Sequence, residues 1–191
     1  MTSPLRPAVF LDRDDTIIAC NDIIPDGDMG YPDLVQLLPG ADNAIQTLAD
    51  AGFAIVVVTN QGGVARGRYD EHAVRAVHDR LNHLLGGRVE AFRYCPFHPK
   101  GTVPEYTREH PWRKPQPGML LDAASELGLD LANSWMVGDK LRDCEAGRAA
   151  GCRTVLIGPQ AGVHDGDDAV DFVAPDLTRA ATIILHRSSG D

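Results

Sequence analysis

Ala8-Val-Phe-Leu-Asp-Arg-Asp-Asp-Thr16 is the stretch on which the fold turns. Four apolar residues, Ala8 to Leu11, run directly into Asp12, Asp14 and Asp15. An apolar run of that length reads as a strand buried on both faces, as in a parallel sheet. The acids then fall at its carboxyl end, where open α/β sheets place their ligands. Residues i and i+2 of an extended chain point to the same side, so Asp12 and Asp14 can converge on one point. Two carboxylates that close repel one another, and a hard cation such as Mg2+ relieves the repulsion. One carboxylate can then serve as nucleophile and the other as general acid and base. Taken alone, the stretch reads equally well as an acidic turn after a strand.

Working outward, the pattern recurs. Ala54-Ile-Val-Val-Val58 is a second buried strand, ending in Thr59-Asn60-Gln61-Gly62-Gly63. Ser134-Trp-Met-Val137 is another, ending in Gly138-Asp139-Lys140. Further strands are expected over 89–94, 153–157 and 171–174, with a short extended segment at 34–38. Helices are expected over 41–51, from an Asp70 cap to about residue 85, and over 117–127, 141–150 and 175–186. In the helix after Asp70, residues Ala73, Val77, Leu81 and Leu84 are expected to face inward. Strands alternating with helices give an α/β fold, a mainly parallel doubly wound sheet of Rossmann-like kind between helical layers. No repeat or linker interrupts the chain, and 1–191 reads as one domain. Two long irregular stretches stand out. One, over 20–32, is placed to lie across the acidic cluster; the other, proline-rich, covers 95–116.

Composition narrows the function. Of 191 residues, 43% are hydrophobic and 24% charged, as in ordinary globular proteins. The formal net charge is -9 and no basic stripe is present, so nucleic acid is not an expected partner. No stretch reaches the roughly 20 apolar residues of a membrane span. Met1 to Pro7 lacks an apolar signal region. Cys20, Cys95, Cys144 and Cys152 show no close pairing, so free thiols in a reducing cytoplasm are expected. An acidic protein that binds phosphate must bring local positive charge from a metal, lysine or backbone N–H groups. A small-molecule partner and a monomer are the expectation.

Three strand tips thus carry polar groups, Asp12/Asp14, Thr59-Asn60 and Gly138-Asp139, and Arg113-Lys114-Pro115 closes the long loop. Each has a plainer reading: Thr59 as a helix cap, Lys114 as a solvated lysine, Asp139 as a turn residue. Together they supply what phosphoryl transfer needs. Here the sequence resembles the haloacid dehalogenase (HAD) superfamily of aspartate-nucleophile phosphatases. Asp12-x-Asp14-x-Thr16, Thr59, Lys114 and Gly138-Asp139-x-x-x-Asp143 look like its four motifs in order. Phe10-Leu-Asp-Arg-Asp14, Val57-Val-Thr-Asn-Gln-Gly-Gly-Val-Ala-Arg-Gly67, Tyr94-Cys-Pro96, Arg113-Lys-Pro-Gln-Pro-Gly-Met-Leu-Leu121 and Met136-Val-Gly-Asp-Lys-Leu-Arg-Asp143 narrow the likeness. They resemble the histidinol-phosphate and heptose-bisphosphate phosphatase family, more closely its heptose branch, over about 8–175.

The resemblance implies a HAD fold without a separate cap domain, and hydrolysis of the 7-phosphate of D-glycero-D-manno-heptose 1,7-bisphosphate. Histidinol phosphate, or another small sugar phosphate, is the alternative substrate; a non-catalytic phosphate-binding protein is the alternative class. Carried over by position, Asp12 attacks phosphorus and Asp14 is the acid and base. Mg2+ is held by the Asp12 side chain, the Asp14 backbone carbonyl and Asp139. Thr59, Asn60 and Lys114 bind the phosphate, Arg113 recognises the rest of the substrate, and Asp143 supports the metal site or Lys114. Asp15 stands where this family usually has glycine, and the loop over 20–29 is longer than usual. Many relatives hold the long loop with zinc, but the matching positions here are Cys95, Phe97, His110 and Trp112. Phenylalanine and tryptophan cannot coordinate, so no zinc is expected, and burial of Phe97 and Trp112 replaces it. Cys95, His98 and His110 remain as a three-ligand remnant. His72, His78, His83, His164 and His186 read as helix-surface or loop residues, Cys144 and Cys152 as small core residues, and 165–168 as a solvated acidic turn. Loops 20–31, 60–68 and 95–113 are expected to wall the site and to bring Arg66, Arg68, Arg108 and Arg113 to it.

Overall fold

The structure is a computed structural model that describes residues 5–24, 27, 29–159, 161–164 and 166–188. Parts of the expected 20–32 loop and of the 165–168 turn, and residues 1–4, lie outside the described residues. Six parallel strands form one sheet: β1 (Ala8–Leu11), β2 (Ala54–Asn60), β3 (Ala91–Cys95), β4 (Trp135–Gly138), β5 (Arg153–Ile157) and β6 (Phe172–Ala174). Their order is β3-β2-β1-β4-β5-β6, with β1 paired to β2 on one side and to β4 on the other. The chain steps outward from β1 to β3, then returns to build the other half from β4. The order therefore reverses between β1 and β4, and the crevice at their carboxyl ends is where such sheets bind ligands. Asp12 begins that crevice; its N–H still donates to Val137 O at 2.9 Å.

Alternation along the strands builds the layers. Val9 and Leu11 enter one core with Ile45 and Leu48 of α1 (Ala41–Asp50), Val77 and Leu81 of α2 (Glu71–Leu84), and Leu177 and Ile184 of α5 (Leu177–Ser188). Ala8 and Phe10 face the other core, with Met119 and Ala123 of α3 (Gly118–Leu127) and Ala146 of α4 (Leu141–Ala150). Both faces of β1 are thus buried, as its unbroken apolar run requires. Among the described residues, no helix is long and apolar enough to cross a membrane.

Several expectations shift. The segment at 34–38 begins as a single 3-10 turn, Pro32–Leu34, because proline suits a first helical position; the chain extends from Val35 and Leu37 bridges Ile18. The third strand starts at Ala91 instead of residue 89. Asn82 on α2 takes the Val89 N–H at 3.0 Å, drawing that residue off the sheet edge. Asp70 caps α2 as expected, accepting from Ala73 N at 2.8 Å. The inward stripe, however, is Val74, Val77, His78 and Leu81, with Ala73 and Leu84 only half-buried. His78 is therefore not a surface residue. Its ring stacks on Phe92 with centroids 4.5 Å apart, and burial, aided by Arg13, lowers its pKa to about 2. Cys144 and Cys152 are buried, and burial pushes both thiols up to about 12.

Candidate active site

The β1 and β4 tips bring three carboxylates together. Ligand oxygens of Asp12, Asp139 and Asp143 lie within 4.8 Å of one another. Gly138 makes this possible: a Cβ there would overlap the Asp143 carboxylate. Lys114 is no solvated lysine but is 2% exposed. Its ammonium donates to Asp12 Oδ1 and to Val58 O, each at 2.7 Å, and lies 2.8 Å from Asp143 Oδ1. Burial opposes its charge, but Asp12 and Asp143 together hold its pKa above the ordinary lysine value. Asp143 also accepts the Lys140 N–H at 3.0 Å, which fixes the start of α4. Lys140 Nζ in turn lies 2.6 Å from Asp139 Oδ2. Three carboxylates thus face two ammonium groups, one charge short of balance. Burial, then the charge of Asp12, raises the Asp139 carboxyl to about 7. An all-oxygen donor set with uncompensated negative charge suits a hard divalent cation. The Asp14 carboxylate is not part of this group.

Asp14 is held from another direction. Arg13, fully buried, grips it through Nε to Oδ1 at 3.0 Å and Nη2 to Oδ2 at 3.1 Å. Gln61 Nε2 donates to Asp14 Oδ2 at 2.9 Å and to Thr59 Oγ1 at 2.8 Å. Burial raises the Asp14 carboxyl above its usual range, while Arg13 opposes the shift. A carboxyl displaced upward is the kind that can donate a proton near neutral pH. Asp15 has φ 58°, the left-handed region that glycine fills without cost. Aspartate tolerates it when its side chain bonds locally. Here Oδ1 accepts from Cys20 N at 2.9 Å and Asn21 N at 3.0 Å, and Oδ2 accepts from the Asn21 amide. The residue that replaces glycine thereby ties down the start of the 20–31 loop.

Asn60, expected at the phosphate, has a second use. Its Oδ1 accepts from Lys114 N and its Nδ2 donates to Lys114 O, both at 3.0 Å. It clamps the backbone that carries the lysine. A polar cavity of about 280 Å3 opens over these groups, lined by Asp12, Asp14, Thr59, Asn60 and Asp139. Arg66 and Arg113 reach it as expected, and Arg142 and Lys140 at the start of α4 join them. Arg68 and Arg108 are not in its lining. Arg108 instead stacks 4.2 Å over the Phe97 ring. Arg113 is steadied by a 3.2 Å bond to Phe97 O. Burial, then Arg142 and Arg66 nearby, lowers its pKa, although Cys95 opposes the shift.

The long loop is packed by rings. Phe97 and His110 stack at 4.3 Å, Trp112 meets His110 edge-on at 6.1 Å, and Tyr106 leans on Phe97 at 5.7 Å. Phe97 and Trp112 also pack against the core beneath. His98 Nδ1 accepts from Lys100 N and His110 Nδ1 from Trp112 N, at 3.0 and 3.1 Å. Among the described residues, Cys95, His98 and His110 do not gather their ligand atoms at one point.

The sequence reading gave no role to Arg13, Gln61, Lys140 or Arg142. Arg142 and Lys140 were legible in principle, lying inside the stretch from Asp139 to Asp143; the side chains that hold Asp14 were not.

Comparison with known proteins agrees with this geometry. The HAD-hydrolase-like family model matches residues 111–180. The D-glycero-beta-D-manno-heptose-1,7-bisphosphate 7-phosphatase of Yersinia pestis is 37% identical over 189 residues, covering 95% of this chain and 96% of that protein. Its namesake from Rhodopseudomonas palustris is 42% identical over 154 residues, covering 78% of this chain and 82% of that one. The crystal structure of D,D-heptose 1,7-bisphosphate phosphatase from B. bronchiseptica, complexed with magnesium and phosphate, superposes with a TM-score of 0.79. It is 32% identical and covers 95% of this chain and 99% of its own. With a parallel sheet in HAD order, an acidic cluster at its switch point and these relatives along nearly its whole length, the chain belongs to the heptose-bisphosphate phosphatase family of the HAD superfamily.

Proposed function

We propose that this chain hydrolyses the 7-phosphate of D-glycero-β-D-manno-heptose 1,7-bisphosphate with Mg2+ as cofactor. The observation that carries the reading is the convergence of Asp12, Asp14, Thr59 and Asp139 on one cavity at the β1/β4 switch point, with Lys114 bonded to Asp12. Relatives that bear this activity in their names support the sugar and its anomer.

In this reading an Asp12 oxygen attacks phosphorus, and the bond from phosphorus to the C7 oxygen breaks. Asp14 gives its proton to the departing alkoxide, leaving an aspartyl-phosphate on Asp12. Asp14, now a carboxylate, takes a proton from water as the water oxygen attacks phosphorus. The bond to Asp12 then breaks, which restores Asp12 and frees inorganic phosphate. Thr59 and Lys114 hold the phosphoryl oxygens. Asn60 acts through Lys114, by holding its backbone. Bound by Asp12, Asp139 and the Asp14 carbonyl, Mg2+ would supply positive charge for the transferring group. The chain works as one unit in which loops, not a cap domain, wall the site.

Arg66, Arg113 and Arg142 bring three guanidinium groups to the same cavity. Guanidinium pairs bidentately with phosphate, so they suit the second anionic group of a bisphosphate. Histidinol carries an ammonium and an imidazole, which arginines do not recognise. The bisphosphate should therefore exceed both heptose 7-phosphate and histidinol phosphate in kcat/KM, with activity lost in EDTA and restored by Mg2+. Arg113→Ala should remove most of that preference and leave hydrolysis of a small aryl phosphate largely intact. Equal treatment of mono- and bisphosphate, or preference for histidinol phosphate, would overturn the substrate assignment.

A further inference from the structure

Gln61, just past β2, is 1% exposed. Its Oε1 accepts from Arg13 Nη2 at 2.8 Å and from the Tyr69 hydroxyl at 2.9 Å. Its Nε2 donates to Asp14 and to Thr59. A primary amide has two acceptor sites and two donor hydrogens, so all of its capacity is in use. The amide can also sit only one way round. Flipped, its N–H groups would face Arg13, which only donates, and its oxygen would face the Asp14 carboxylate. Tyr69 is fixed independently. A Cβ on Gly30 or on Gly63 would overlap its ring, so the ring fills a slot that two glycines, from the two loops beside the site, leave open. Neither Gln61 nor Tyr69 lines the cavity. Their influence must pass through the residues they hold.

We propose that Tyr69 and Gln61 form a positioning pair for Asp14: the wedged tyrosine orients the glutamine amide, and the amide holds the Asp14 carboxyl beside Thr59 for both proton transfers. The proposal rests on the phosphatase reading above. It has a kinetic signature, because Asp14 acts twice. With an alkyl phosphate, the first step needs its proton. With an aryl phosphate the leaving aryloxide needs little help, so Asp12 is still phosphorylated; only the attack of water, which must pass its proton to Asp14, is slowed. Aspartyl-phosphate then accumulates.

Gln61→Glu keeps the accepting side toward Arg13 and Tyr69 and removes both donated bonds. On an alkyl phosphate, its kcat should fall by at least about 10-fold, part of the full general-acid contribution. KM should change less than kcat, because the lost Thr59 bond touches only one of the groups that bind the phosphoryl oxygens. On p-nitrophenyl phosphate, rapid mixing should show a burst of about one nitrophenolate per site followed by slow turnover. Gln61→Met should behave alike, and Tyr69→Phe, which keeps the ring in its slot, should show the same pattern more mildly. Thermal unfolding checks each fold, and Tyr69→Phe decides with the same readout if the Gln61 variants do not fold. Alkyl turnover unchanged in the variants, or alkyl and aryl turnover lost equally with no burst, would overturn the proposal. A wild-type protein inactive on both substrates would bring down the phosphatase reading and this proposal with it.

Discussion

Lys114 Nζ donates a 2.7 Å hydrogen bond to Asp12 Oδ1, joining residues 102 positions apart. The same ammonium neutralises Asp143, which is fully buried. Removing one member of a buried ion pair leaves the other charge without compensation, at a cost of about 3–5 kcal/mol. Lys114→Met should therefore lower the urea midpoint markedly, and adding Asp143→Asn should recover part of the loss. An unchanged midpoint for Lys114→Met would show that the lysine is not needed to hold Asp12 and Asp143 together.

The aromatic packing of the long loop carries a second prediction. Protein purified without added metal should hold no stoichiometric zinc, since Phe97 and Trp112 occupy two ligand positions of the related sites. Trp112→Ala should loosen the segment from Cys95 to Arg113, raising its protease sensitivity while circular dichroism of the sheet stays the same. One zinc per chain by elemental analysis, lost on replacing Cys95, would refute the aromatic account.

His78 gives the fold a pH dependence. Above its ordinary pKa of 6.5 it is neutral in both folded and unfolded chains. Below that, the unfolded chain takes up a proton, while the folded one, with its pKa at about 2, does not. The contribution is thus fully present above pH 6.5 and lost as pH falls toward 2, by about 1.4 kcal/mol per pH unit. His78→Phe keeps a ring on Phe92 and cannot titrate. Urea melts at successive pH values below 6 should show the wild type losing stability faster than the variant by about that slope. Parallel curves would contradict the assignment.

Much of the fold was legible because β1, β2 and β4 are short apolar runs that stop at polar residues, and burial on both faces requires that pattern. The strand tips then located Asp12, Thr59 and Asp139 without any knowledge of contacts. What escaped depended on contacts between distant segments. Gln61 looked like a polar residue after a strand, and nothing in the sequence singles out Tyr69. Their pairing exists only because Gly30 and Gly63 meet around one ring. Arg13 had no assigned role, yet it is fully buried and grips the second of the two acids beside it. His78 fell at helical spacing with Val74, Val77 and Leu81, but a histidine does not count as apolar until its stack on Phe92 is seen. The start of β3 moved because a side chain, Asn82, captured backbone groups that a strand would otherwise use.

In the proposed mechanism the phosphoryl group passes through Asp12. The direct measurement is an acid quench of enzyme mixed with the heptose bisphosphate and Mg2+, followed by mass spectrometry of its peptides. A phosphoryl adduct is expected on the peptide carrying Asp12 in the wild type, and none in Asp12→Asn. Asp12→Asn should also lose turnover by several orders of magnitude while still binding phosphate. Near-normal turnover by Asp12→Asn, with no adduct on that peptide in the wild type, would contradict the mechanism.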